Sequence, residues 1–138
     1  MNKIILKGRK VVGGCVEGEA LVTKDYISGW GGIDPKTGII IDLRHELAGK
    51  CFAGKVLVYH GAKGSSGWSG QFHEARLNGV APLAMVYVET TTKIALGAVV
   101  TRVPAVTDLD QDPTAVIETG DWVKVDGENG IVEITKKK

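Results

Sequence analysis

Cysteine is scarce in this 138-residue chain: Cys15 and Cys51 are the only two. Two thiols imply no disulfide framework. They are also too few for an iron–sulfur cluster, which takes three or four thiolates. The simplest expectation is a pair of reduced, at least partly buried thiols. No apolar run approaches the roughly 20 residues that span a bilayer. The opening MNKIILKGRK lacks the apolar core and cleavage site of a secretory signal, so a cytoplasmic location is expected. An excess of one charge is missing too, with 17 Lys and Arg against 16 Asp and Glu. That balance leaves no electrostatic footprint for nucleic acid or an anionic membrane. The closing Lys136-Lys137-Lys138 reads as a solvated, frayed end. The three histidines, His45, His60 and His73, lack metal-ligand spacing.

What is present is globular. Apolar residues make up 43% and charged residues 24%, and residues 1–138 fit one domain with a proper core. Glycine, at 19 residues, punctuates the chain. IILKGRKVV (4–12), GEALV (18–22) and GIIIDL (38–43) read as strands. Asp34-Pro35 followed by Thr37-Gly38 is turn chemistry. Val56 to Tyr59 reads as a strand buried on both faces. Trp68, Phe72 and Ala75 recur at helical spacing, and Asn78-Gly79 supplies a stop. APLAMVYVE (81–89) reads as the next strand. TTTKIALGAVVTRV fits a short helix or an extension as strand. GDWVKVDGENGIVEI (120–134) is a hairpin. A strand, loop, helix and strand in succession suggest a parallel βαβ unit, flanked by antiparallel pieces. The class is α/β, with two sheets and few helices.

The loop before the helix reads GAKGSSGWSG (61–70). It lacks the GxxxxGK[ST] of a phosphate-binding Walker loop, because Gly64 separates Lys63 from Ser65. Its glycines run in steps of three, which also fails the GxGxxG fingerprint. A helix starting near Ser66 points unpaired N–H groups and a positive dipole end at the loop, favouring an anion. One serine as a simple helix cap is the competing explanation, but it leaves the second serine and Lys63 unexplained.

VEGEALV (16–22), GGIDPKTGIIID (31–42), HELAGKCFAGKVLV (45–58), KGSSG (63–67) and NGVAPLAMV (78–86) follow one another in a distinctive order. In that order the chain resembles the aconitase X small subunit, over about residues 10–110. The resemblance implies a swivelling β/β/α domain like aconitase's, with a central parallel sheet, a second antiparallel sheet and few helices. It implies a heterodimer with a large subunit that carries the cysteines and an iron–sulfur or iron centre, none being bound by this chain. The pair would dehydrate a small hydroxy acid; known family substrates are mevalonate 5-phosphate and cis-3-hydroxy-L-proline. The first serine of the family's glycine–serine motif is its catalytic serine, which falls on Ser65. Lys63, Gly64, Ser66 and Gly67 surround it as site-lining residues.

That chemistry suits the loop. Dehydration needs a base for the proton beside the carboxylate and a Lewis acid for the leaving hydroxyl. A serine becomes a base only if its alkoxide is stabilised, which a helix N-terminus and Lys63 could do. Gly67 stands where aconitases proper have a carboxylate-gripping arginine. Trp68 and Phe72 are bulkier than expected here, and Trp68, if it faces the site, would reshape the pocket.

Gly31, Gly32 and Asp34 line the cleft or the subunit contact, or simply form the Asp34-Pro35 turn. Trp30 is an interface anchor or a core residue. His45, within the family-like HELAGK segment, is a site candidate, and His60 could approach substrate from the strand end. Arg102 is an anion grip or a solvated cation. Glu17 and Glu19 alternate toward solvent. A rival reading comes from the closing hairpin, which resembles that of phosphohistidine swivelling carriers. Those need a Thr-Ser-His loop, whereas this one reads Gly64-Ser65-Ser66-Gly67 and His73 lies inside the helix. A third reading is a stand-alone small-molecule binding module.

Overall fold

The computed structural model describes residues 3–28, 31–63, 68–89 and 91–137. The strands are β1 (Lys3–Lys7), β2 (Arg9–Val12), β3 (Cys15–Val22), β4 (Tyr26–Ser28), β5 (Ile33–Asp34), β6 (Ile39–Ile40), β7 (Val56–Tyr59), β8 (Gly61–Lys63), β9 (Ala84–Tyr87), β10 (Ala105–Thr107), β11 (Trp122–Asp126) and β12 (Ile131–Thr135). The helices are α1 (Trp68–Leu77), α2 (Thr92–Thr101) and α3 (Pro113–Val116). Eight strands line up as β1-β12-β11-β3-β7-β9-β10-β2. The β1 to β3 stretch is antiparallel, and β3-β7-β9-β10 is parallel. The expected parallel and antiparallel sheets therefore meet on one strand. Cys15–Glu19 of β3 pair with β11, while its Ala20–Val22 pair with β7.

The run IILKGRKVV, expected as one strand, divides at Gly8. β1 lies on one edge of the sheet against β12, and β2 on the other against β10. Two consecutive strands on opposite edges draw those edges together, so the sheet wraps on itself. Gly8 sits at the crossing, donating its N–H to Gly130 O at 2.7 Å. A Cβ there would lie 2.4 Å from the Thr107 carbonyl oxygen, so only glycine fits.

Alternation along the central strands divides the interior into two layers. Val56 and Val58 of β7 join Ala84, Val86, Val123, Val125, Val132 and Ile134 between the halves of the sheet. Leu57 and Tyr59 turn the other way, toward Trp68, Phe72, Ile94 and Ala98 of α1 and α2. This is why VLVY is apolar throughout: both faces are covered. The open choice at residues 90–103 falls to helix. Thr91 caps α2 by accepting from Ile94 N–H at 3.3 Å. Arg102 closes it at φ 58°, donating its N–H to Ala98 O and Val99 O. α1 ends, as expected, at Asn78-Gly79, with Gly79 at φ +75°.

Three expectations need correction. GIIIDL is extended only at Ile39–Ile40, because Ile41 leaves the ladder to bond Gly32 O at 2.8 Å. Both cysteines are exposed rather than partly buried: Cys15 opens β3 at its exposed end, and Cys51 follows an outer turn. Nor are Lys136 and Lys137 frayed. Asp121 is fully buried and accepts from the Lys136 ammonium at 2.5 Å, Lys137 N–H at 3.0 Å and Glu118 N–H at 2.8 Å. Burial by itself would raise the Asp121 pKa. The hydrogen bonds from Lys136, Lys137 and Glu118 outweigh it and hold the carboxyl below its usual 3.8.

A depressed carboxyl pKa contributes stability that is complete above the ordinary value and lost as pH falls through the folded one. Acid destabilisation is therefore expected below pH 3.8. Lys136 behaves oppositely. Burial lowers its pKa, but the bonds to Asp121 and Glu118 raise it above 10.5, so its share is lost only as pH rises past that value. Asp121→Ala removes the buried carboxylate that accepts from Lys136 and from the Lys137 and Glu118 N–H groups. It leaves Lys136 only Glu118 and the Val116 carbonyl, and is expected to cost about 3 kcal/mol. A thermal melt should show a midpoint lower by roughly 10 °C.

Candidate functional site

The three residues of β4 meet three of the sequence-predicted site residues, Lys63, Gly32 and His45. Tyr26, Ile27 and Ser28 pair in parallel with Gly61, Ala62 and Lys63, forming a two-stranded ribbon separate from the main sheet. GAK was expected as loop, but it is β8. Gly64, Ser65, Ser66 and Gly67 lie outside the described residues, as does Trp30. The described chain runs to exposed Lys63 and resumes at Trp68, the first residue of α1.

Successive carbonyls of β4 each meet a residue of interest. Tyr26 O accepts from His45 Nε2 at 3.0 Å. Ile27 O accepts from the Trp68 indole N–H at 2.9 Å. Ser28 O lies 2.0 Å from where a Cβ on Gly32 would stand. Gly32 is glycine because a strand carbonyl occupies its side-chain space. Ser28 also pairs with Lys63, so Lys63 and Gly32 converge on one residue at the mouth of the loop. Asp34 does not join them. Its carboxylate accepts from Lys36 N–H at 2.9 Å and Thr37 Oγ1 at 3.0 Å, and its carbonyl accepts from Gly38 N–H at 2.8 Å. In the structure Asp34 organises the turn.

His45 is buried, with both ring nitrogens engaged. Nδ1 accepts from Leu47 N–H at 3.0 Å, so Nε2 carries the proton donated to Tyr26 O. This fixes a neutral tautomer and clips the 41–48 loop to β4. Trp68 is fully buried rather than facing a pocket. Its ring centroid lies 4.5 Å from Phe72 and 6.2 Å from Tyr59, and a Cβ on Gly97 would come 2.2 Å from the indole. The large side chain fills a hole left by a glycine of α2. Its polar edge pins the start of α1 to β4, which satisfies the indole N–H inside the core. Arg102 is an exposed helix terminus residue, and Glu17 and Glu19 point outward as expected.

One cluster had almost no sequence signal. At the other end of the ribbon Tyr26 donates its hydroxyl to Glu89 Oε2 at 2.7 Å. His60 Nε2 lies 3.7 Å from the same oxygen, and its ring meets Tyr26 edge-on at 4.8 Å. The hydrogen bond to Glu89, then burial, then the carboxylate's charge raise the Tyr26 pKa. His60 was legible as a strand-end residue beside the loop. Tyr26 and Glu89 are 63 positions apart, and no spacing rule links them.

Among the described residues no group of three or more His, Cys, Asp or Glu is placed to hold a metal ion. No helix among them is long and apolar enough to cross a membrane.

Comparison with known proteins bears on the same residues. The family model described as Aconitase X swivel domain matches residues 5–134. The phosphomevalonate dehydratase small subunit of Methanosarcina acetivorans is 43% identical over 138 residues, covering 100% of this chain and 96% of its own. That of Thermococcus kodakarensis is 40% identical over 129 residues, covering 94% and 95%. The crystal structure of Thermococcus kodakaraensis aconitase X in its holo-form superposes with a TM-score of 0.91 at 39% identity, covering 96% of this chain and 99% of that one. With the family model spanning nearly every element, and with the wrapped sheet and few helices matching a solved member, the chain belongs to the aconitase X swivel-domain family.

Proposed function

We propose that this chain is the small subunit of a phosphomevalonate dehydratase. It acts as a single swivel domain in a cytoplasmic heterodimer with a large subunit, and Ser65 is the base. The observation that carries this reading is full-length likeness to proteins named phosphomevalonate dehydratase small subunit. It favours mevalonate 5-phosphate over cis-3-hydroxy-L-proline as substrate.

In the proposed reaction Ser65 takes the proton from the carbon beside the carboxylate. That C–H electron pair becomes the new double bond as the C–O bond on the neighbouring carbon breaks. The departing hydroxide takes up the proton from Ser65, leaving as water and restoring the alkoxide. Lys63, at the end of β8, and the leading N–H groups of α1 supply positive potential to the alkoxide that Ser65 needs. An iron centre on the large subunit supplies the Lewis-acid chemistry for the hydroxyl. Gly32 lets the 31–34 segment close against β4 beside Lys63, and Gly64, Ser66 and Gly67 are assigned to the same site by their place in the motif. A phosphoryl carrier fits less well, since its histidine would be His73, midway along α1. The test is a dehydration assay of the mixed subunits on both hydroxy acids. Turnover of mevalonate 5-phosphate is expected, and turnover of cis-3-hydroxy-L-proline alone would overturn the substrate assignment.

A further inference from the structure

The two-stranded ribbon that carries Lys63 stands apart from the main sheet, and a cluster of side chains holds its root. Glu89 Oε2 accepts from the Tyr26 hydroxyl at 2.7 Å and lies 3.7 Å from His60 Nε2. Glu89 stands just beyond β9, and His60 joins β7 to β8. Their backbones are linked as well: Glu89 N–H and Val88 N–H donate to His60 O at 2.8 and 3.2 Å. A Cβ on Gly61 would come 3.2 Å from the Tyr26 ring and 3.3 Å from Glu89 Cβ. The first residue of β8 is therefore held between that ring and Glu89, and the hydroxyl–carboxylate bond closes the clamp.

We propose that Tyr26 and Glu89 are positioning residues for the dehydration: by clamping Gly61 they set where Lys63 stands. This rests on the reading of Lys63 as part of the positive field that serves the reaction. Gly61 to Lys63 is one short strand, paired residue for residue with Tyr26, Ile27 and Ser28. Over roughly 7 Å of extended chain, a shift at Gly61 reaches Lys63 with little loss. The ties to β4 from His45 and Trp68 end on its backbone carbonyls, whereas the Glu89 bond fixes the ring that lies on Gly61. Glu89 and His60 keep 44% and 33% of their side chains exposed, so the cluster adds little to the core. Its worth lies in geometry, because a charge displaced by a fraction of an ångström loses much of its effect on a transition state.

The experiment is steady-state turnover of mevalonate 5-phosphate by the reconstituted complex, with a thermal melt of each variant. Tyr26→Phe keeps the ring over Gly61 and loses only the hydroxyl. It is expected to lower kcat about tenfold, with KM within about twofold and the melting midpoint within about 4 °C of wild type. Glu89→Ala should match it, and Glu89→Gln, whose amide oxygen still accepts the hydroxyl, should recover most of the loss. In a Lys63→Ala background Tyr26→Phe should cost less than about twofold, because the group it places is gone. Asp121→Ala, which lowers the melt further, should leave kcat unchanged. Wild-type kcat in Tyr26→Phe, no recovery in Glu89→Gln, the full loss in the Lys63→Ala background, or an equal loss in Asp121→Ala overturns this role. Absence of turnover by the wild-type complex would instead sink the proposed function, and this role with it.

Discussion

Replacing Ser65 by alanine is expected to lower kcat on mevalonate 5-phosphate by about a thousandfold in the reconstituted complex. KM and subunit affinity should change little. A group that acts only as base in the transition state lowers kcat and kcat/KM together. Ser66→Ala separates the two serines and should cost less than about tenfold, since a neighbouring hydroxyl that caps or lines is partly replaced by water. Lys63→Ala falls between them. Lys63 is exposed at the end of β8, so water screens part of its field. Should Ser65→Ala retain near-normal turnover while Ser66→Ala loses it, the base would be Ser66.

The second large effect is structural. Trp68→Ala empties the space between α1, Tyr59 and Gly97, and large-to-small changes of this kind cost about 4 kcal/mol. It also leaves the Ile27 carbonyl without its indole donor. The midpoint of thermal unfolding should fall by roughly 15 °C. Trp68→Phe is the more informative variant. It keeps much of the ring but loses the N–H, so it should cost only about 1–2 kcal/mol. Yet Trp68 directly follows residues 64–67 in the chain, and its bond to the Ile27 carbonyl fixes the start of α1 against β4. Turnover by Trp68→Phe should therefore fall further than its stability does, with KM and kcat both affected. A variant that melts early but turns over normally would show that the indole bond serves stability alone.

Local chemistry made much of the fold legible. The stop at Asn78-Gly79, the hairpin across 120–134 and the doubly buried VLVY each announce themselves within a few residues. α2 did not. Its β-branched run fits a strand equally well, and the choice is made by the Thr91 cap and by the contact of Gly97 with Trp68, a long-range packing event that propensity does not see. β4 and β8 were invisible for a related reason. Three-residue strands are too short to show a period, and their partners lie far away along the chain. The Lys136–Asp121 pair likewise joins a tail to a buried carboxylate that no pattern marks.

The site divides in the same way. Ordered motifs led to the loop, to Lys63 and to Gly32. What they left out is why Gly32 is glycine, which only the Ser28 carbonyl explains. Asp34 and His45 looked equally motif-like, and the structure employs them as a turn organiser and a clip. Tyr26, Glu89 and His60, brought together at the base of the ribbon, show how a tertiary cluster can adjoin a motif without sharing its spacing.

The most direct measurement is a subunit titration. A fixed amount of purified large subunit is assayed for dehydration of mevalonate 5-phosphate while this chain is added. Neither chain should turn over substrate alone, and activity should rise linearly and break at one equivalent. Full turnover by the large subunit without this chain, or no turnover at any ratio, would contradict the account.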